Sequence, residues 1–259
     1  MSLIKGLTII HNDVNNYPNN VNSILNTDEL DTSNNVVIFV GENGSGKTTL
    51  LNMIRDKLNI PKISKVSYES KNSNIELNYI KKPKGFYFKA EEFIEYISYI
   101  NSTIENEKKE IERIKEYYGD DPKRQYAKMM ELSPHYKEIM ALQEMYSKPL
   151  DEISHGQAFL EFFSSRLRNN EIYLLDEPEM PLSFNNQLAL LRIINEATKR
   201  GCQFFIITHS PVILSYPNAT IYEACESGFV ERFYEELDNV NSLRDFLNNK
   251  ERYFRYLFD

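Results

Sequence analysis

Two hydrophobic rhythms run through this chain. Val36–Val40, Ile172–Asp176 and residues 203–208 are short, nearly unbroken apolar runs, the pattern of strands buried on both faces. Residues 3–10, 65–68, 75–80 and 85–89 alternate in the manner of strands, and residues 219–224 and 229–233 read as edge strands. The second rhythm occupies residues 91–148. There Ile97, Ile100, Ile104, Ile111, Ile114 and Tyr118 recur at three-, four- and seven-residue spacings among Glu and Lys, which predicts amphipathic helix.

The punctuation refines these elements. Residues 12–35 are rich in Asn and are expected to be mostly loop. Gly119-Asp120-Asp121-Pro122 breaks the helical pattern, and Ser133-Pro134 reads as an N-cap followed by proline at a first helical position. The segment is therefore expected to form two or three helices folded back on the core, with its mixed charges reading first as a solvated face. Further helices are expected over 49–58, 156–167, 185–199 and 242–257. Strands alternating with helices indicate an α/β fold with a mainly parallel sheet.

Composition narrows the class. The 259 residues are 41% hydrophobic and 12% aromatic, ordinary for a globular chain with its own core. A net charge of −8, from 30 basic and 38 acidic residues, argues against a broad electrostatic grip on nucleic acid or anionic membrane. Cys202 and Cys225 read as small core residues, too few for a disulfide framework. The first ten residues do not resemble a leader, and no window approaches the ~20 apolar residues of a membrane helix. A cytoplasmic protein is expected.

The chemistry is concentrated in four places. Gly41-Glu42-Asn43-Gly44-Ser45-Gly46-Lys47-Thr48 fits G-x-x-x-x-G-K-[ST] between a buried strand and the helix opening at Thr49. Such a loop turns successive N–H groups toward phosphate oxygens. Lys47 would reach the β- and γ-phosphates and Thr48 would ligate Mg²⁺. Asp176 and Glu177 end a core strand, where ligands of open α/β sheets sit. Asp176 is then a Mg²⁺ ligand, directly or through water, and Glu177 the residue that polarises the attacking water. Taken alone, the acid pair reads equally as a turn or helix cap. His209 closes the apolar run at 204–208, so its imidazole reaches the same crevice. Ser154, Gly156 and Gln157 open a helix and make a second anion site, one that could meet a phosphate held by another copy. In isolation they read as an ordinary Ser cap.

In this order, phosphate loop, Ser-x-Gly-Gln, apolar strand ending in Asp-Glu, then histidine, the chain resembles ABC-type ATPases. Ser154 lies 22 residues before Asp176, similar to the signature-to-Walker B spacing of that family. Asp-Glu-Pro-Glu, then Pro-Leu-Ser and Gln187, resembles more closely the small stand-alone bacterial AAA-type ATPases with ABC motifs, relatives of repair and chromosome-maintenance ATPases. The resemblance covers residues 36–225. It implies a P-loop NTPase fold of ABC type in a single domain, 1–259. A mostly parallel core sheet flanked by helices, an N-terminal antiparallel β portion and a short helical insertion at about 91–155 belong to that fold.

The resemblance also assigns roles. Gly41 to Thr49 hold the nucleotide, with Lys47 catalytic; Thr48 and Asp176 hold Mg²⁺. Glu177 is the catalytic base and His209 the switch histidine. Ser154, Gly156 and Gln157 are the signature, with His155 where many relatives have glycine. Pro181-Leu182-Ser183 is the D-loop that meets a partner subunit. ATP and Mg²⁺ are the implied cofactors, and an ATP-dependent head-to-tail homodimer, coupled to a protein or to DNA, the implied assembly. The chain departs from the pattern in lacking a Q-loop glutamine. Gln125 and Gln143 fall inside the insertion, and Glu91 is the best positional match. No clear aromatic platform for adenine stands out, Tyr17 being the candidate. A transporter's nucleotide-binding subunit is the alternative implied by the same fold, and a P-loop phosphotransferase leaves the signature and the histidine without a task.

Overall fold

The computed structural model describes residues 2–11, 16–62, 74–143 and 155–258; the strand expected at 65–68 and the signature residue Ser154 lie outside them. Two compact units emerge, one formed by the chain up to Ala90 and again from Leu167 onward, the other by Glu91–Arg166.

The first unit is built on two sheets. β1 (Gly6–Ile9) lies between β2 (Glu29–Asp31) and β4 (Ile75–Asn78), antiparallel to both. The larger sheet has the order β5-β6-β7-β3-β8-β9, comprising β3 (Val36–Val40), β5 (Gly85–Lys89), β6 (Ile172–Asp176), β7 (Gln203–Ile207), β8 (Thr220–Cys225) and β9 (Gly228–Arg232). All pairings in it are parallel except β8 with β9. Every residue of β3, β6 and β7 is buried. At about 1.5–3 kcal/mol for each large apolar side chain, these three strands are the strongest anchor of the unit. Helices α1 (Asn22–Leu25), α2 (Lys47–Leu58), α6 (Phe184–Lys199), α7 (Pro211–Leu214) and α8 (Asp238–Phe258) also belong to it. The core cluster joins Leu7, Ile24, Phe39, Leu50, Ile54, Leu174 and Phe205.

One polar residue inside this core links the two sheets. Gln203 is fully buried; its carbonyl accepts from the amides of Leu3 and Ile4, and its Nε2 donates to the carbonyls of Ile4, Thr32 and Asn34. A buried amide with all these partners costs little and fixes the register of the N-terminal segment.

The second unit contains α3 (Ala90–Tyr118), α4 (Gln125–Gln143) and α5 (His155–Arg166). Phe93, Ile97, Ile100, Ile104, Ile111 and Ile114 are buried along one stripe of α3, at the spacings the sequence shows. Phe93 packs against Phe159 and Phe162 with ring centres 5.6 and 5.0 Å apart. Glu107 and His135, 2.5 Å apart, join α3 to α4.

Among its described residues the 12–35 stretch is mostly loop, as expected, interrupted by α1 (Asn22–Leu25) and β2. Two expectations are corrected. β8 is not an edge strand; it lies between β3 and β9, because its parallel pairing with β3 was invisible to a pattern read one strand at a time. No helix begins at Ser133-Pro134. α4 runs through Pro134 and starts just after the turn at Pro122–Arg124, where the Asp121 carboxylate accepts from the Lys123 amide. The bond lost at Pro134 is the one an amide there would donate to the carbonyl of Met130, a residue 56% exposed, so water can satisfy that oxygen. Among the described residues, no helix is long and apolar enough to cross a membrane.

Candidate functional site

Parallel pairing brings three strand ends to one level. Asp176 stands opposite Ile207 on β7, and Ile207 stands opposite Phe39 on β3. The chain leaves β3 into the glycine loop, β6 into Glu177, and β7 into Thr208 and His209. Residues 40, 176 and 209 thus meet at the carboxyl edge of one sheet although they are scattered in sequence.

The loop's shape follows from its glycines and from what lies behind them. Gly41 has φ +136°, and a Cβ there would stand 2.6 Å from the Ala224 carbonyl on β8. Gly46, at φ +98°, would place a Cβ 2.5 Å from the Ser23 hydroxyl. Ser23, on α1, donates to the carbonyl of Ser45. Lys47 is only 5% exposed, and its ammonium donates to the carbonyls of Gly41 and Glu42 at 2.7 and 2.6 Å. Burial lowers its pKa, while the nearby carboxylates of Glu177, Asp176 and Glu42 oppose that shift. A cation held in a curled loop beside a helix start is prepared for a polyanion.

Facing this loop, the Thr48 hydroxyl lies 3.5 Å from Asp176 Oδ1. A hydroxyl beside a carboxylate is the hard oxygen set that suits Mg²⁺, so these residues fit the implied metal. Asp176 is almost wholly buried, and burial raises its pKa; the Tyr87 hydroxyl, donating to Oδ2 at 2.9 Å, opposes the shift, as does the charge of Lys89. Glu177 turns the chain in the left-handed region at φ +51°, its amide donating to the Ile207 carbonyl at 2.9 Å. A non-glycine residue there costs about 1–2 kcal/mol. The turn sends its carboxylate toward solvent, 4.0 Å from His209 Nε2.

The structure therefore brings together Lys47, Thr48, Asp176, Glu177 and His209. Glu42, Asn43 and Gly44 are exposed on the loop; Thr49 follows on α2 and accepts a hydrogen bond from Tyr17 at 3.3 Å. Gly156 is buried and Gln157 exposed in the first turn of α5, in the second unit, where Glu91 also lies, exposed at the start of α3. Two contacts had no sequence signal: Tyr87 on Asp176, and Glu179, whose Oε1 accepts the His209 amide at 2.7 Å. The Asn-rich stretch also borders the glycine loop. Residues 20–23 line a cavity of about 960 Å³ together with residues 41–45, His209, residues 223–226, Asp238 and Asn239.

Comparison with known proteins adds the following. A family described as ABC transporter matches residues 29–180, more than half of the chain. A second, described as AAA domain, putative AbiEii toxin, Type IV TA system, matches residues 146–215. No curated protein matches. Among solved structures, the chain is similar to an ATP-binding cassette of an ABC transporter in its ADP conformation, at 19% identity over 100% of both chains with a TM-score of 0.47. It is similar to the SMC head domain from Thermotoga maritima at 14% identity, over 90% of this chain and 100% of that one, with a TM-score of 0.46. A dimeric bacterial ABC transporter cassette follows at 15% identity, over 81% of this chain and 90% of that one, with a TM-score of 0.43.

Proposed function

Because the chain belongs to the ABC family of ATP-binding cassettes, we propose that it is a Mg²⁺-dependent ATPase that works as an ATP-driven dimerisation switch. The output is coupled to a protein partner or to nucleic acid, in a repair or phage-defence role. The observation that carries this reading is the meeting of Lys47, Thr48, Asp176, Glu177 and His209 at one sheet edge.

Each residue then has a task. Lys47 and the loop amides neutralise phosphate charge. Thr48 and Asp176 would hold Mg²⁺, which when bound would offset charge on the phosphate oxygens. Glu177 orients water and takes its proton as the water oxygen bonds to the γ-phosphorus and the bond to the β–γ bridging oxygen breaks, the electron pair leaving with ADP. His209 donates toward the γ-phosphate and keeps the water in line. Ser154, Gly156 and Gln157 of a second copy close the site, so ATP joins two copies and hydrolysis separates them. The match of residues 146–215 to a family described through a toxin–antitoxin system supports a defence role.

The test is Glu177→Gln, which binds ATP without cleaving it. Light scattering should show a monomer that becomes a dimer only with Mg-ATP. An unchanged mass, with nucleotide demonstrably bound, would sink the switch. Co-purification with a membrane protein would move the chain to the transporter alternative.

A further inference from the structure

We propose that Glu179 and Gln187 form a clamp that positions His209 and joins it mechanically to the loop of residues 180–183. The proposal rests on the functional reading above and adds two positioning residues to it.

The switch histidine is held on both sides of its own backbone position by one segment. On one side, Glu179 Oε1 accepts the His209 amide at 2.7 Å. On the other, Ser210 donates to Gln187 Oε1 at 2.5 Å. Gln187 in turn donates through Nε2 to the Leu182 carbonyl at 3.2 Å and through its amide to the Ser183 carbonyl at 2.9 Å. The Leu182 amide closes the loop by donating to the Glu179 carbonyl at 2.8 Å. Residues 180–183 are thus cross-linked, through two side chains, to the residues that carry the imidazole.

Exposure gives the loop an outer and an inner side. Met180 and Ser183 are exposed, whereas Leu182 is 7% exposed. A body pressing on the outer side moves the carbonyls that Gln187 holds, and through Gln187 and Glu179 it moves the backbone of His209. The imidazole, 41% exposed, stands 4.0 Å from Glu177, just beyond direct hydrogen-bond reach, so a shift of a few tenths of an ångström decides whether the two groups act on the same water. A carboxylate acceptor suits this task, since a charge-assisted bond resists stretching more than a neutral one. Burial, with Glu177 nearby, raises the pKa of Glu179, and the His209 amide and the Thr208 hydroxyl oppose that.

Steady-state ATPase kinetics on Glu179→Ala, Glu179→Gln, His209→Ala and the Glu179→Ala/His209→Ala double variant test the clamp. Glu179→Ala should lower kcat about tenfold or more, the loss of one hydrogen bond to a charged acceptor, while KM for ATP moves less than about twofold. Glu179→Gln keeps an acceptor oxygen and should restore most of the loss. In the His209→Ala background, Glu179→Ala should cost nothing further; a full tenfold loss there would overturn the proposal, because the residue would then act without the histidine. Amide exchange at His209 reads the clamp without turnover. It should speed up about tenfold or more in Glu179→Ala and not in Glu179→Gln, and unchanged exchange overturns the clamp. Absence of ATP turnover in the unaltered protein would instead defeat the ATPase reading, and leave the exchange experiment to decide the clamp by itself.

Discussion

The two units of this chain use helix and burial in opposite ways. In the first, the residues of the candidate site stand at or just beyond the ends of strands with every side chain buried, so their positions are set by packing on all sides. In the second, α3 buries one stripe, while α4 leaves Tyr126, Met129, Met130 and Met140 in solvent. A close-packed sheet transmits a small displacement from one strand end to the next, and a one-sided helix absorbs it. The contrast implies that the first unit can hold catalytic geometry to a fraction of an ångström, and that the second can vary on its surface without disturbing it.

The largest expected effects lie in the first unit. Lys47→Ala should weaken ATP binding by more than about a hundredfold in calorimetry, since it removes the one buried cation of the loop. Glu177→Gln should reduce kcat by about 10²–10⁴, with KM little changed, in single-turnover assays. Tyr87→Phe should raise the Mg²⁺ concentration for half-maximal activity by about tenfold, as loss of a supporting partner does at metal sites. Tyr87 favours the charged Asp176, whose pKa burial already raises, so metal affinity in this variant should begin to fall at a higher pH than in the parent.

Smaller effects sharpen the contrast from the other side. Pro134→Ala should stabilise α4 by up to about 3 kcal/mol in chemical denaturation, with ATP turnover unchanged; a loss of turnover would show that the second unit is not indifferent to its helix geometry. The smallest is a pH effect at Glu179. Its folded pKa is raised above the ordinary carboxylate value, so its ionisation costs stability that is present below the ordinary pKa and lost as pH rises through the folded one. Glu179→Gln removes that dependence, and its melting temperature relative to the parent should be higher at pH 8 than at pH 5.

Much of the architecture was legible because the apolar runs are local. Val36–Val40 and Ile172–Asp176 are strands in the structure with the bounds read from sequence, and the isoleucine spacing of α3 marks its buried stripe. Part of the candidate site was legible too, since the glycine loop and the Asp-Glu strand end are each recognisable within a few positions, whereas the contacts of Tyr87 and Glu179 were not. Less legible were elements defined by their neighbours. α1 and β2 are four and three residues long, too short to show a period, and they exist because Ser23 and Leu30 find partners elsewhere. Pro134 misled because a solvent-facing helix tolerates a lost carbonyl bond that a buried one would not.

By itself, the sequence determined which segments are the buried core strands, where the glycine loop sits, and which acids and which histidine end or follow the core strands. These are properties of short windows, in which side-chain type and period suffice. Only the tertiary structure decided the strand order that sets Asp176 beside Thr48 and His209 beside Glu177, the hydroxyl of Tyr87 on Asp176, and the carboxylate of Glu179 on the His209 amide. Those contacts join residues up to 128 positions apart, and which of many polar groups meet depends on strand pairing that no local pattern encodes.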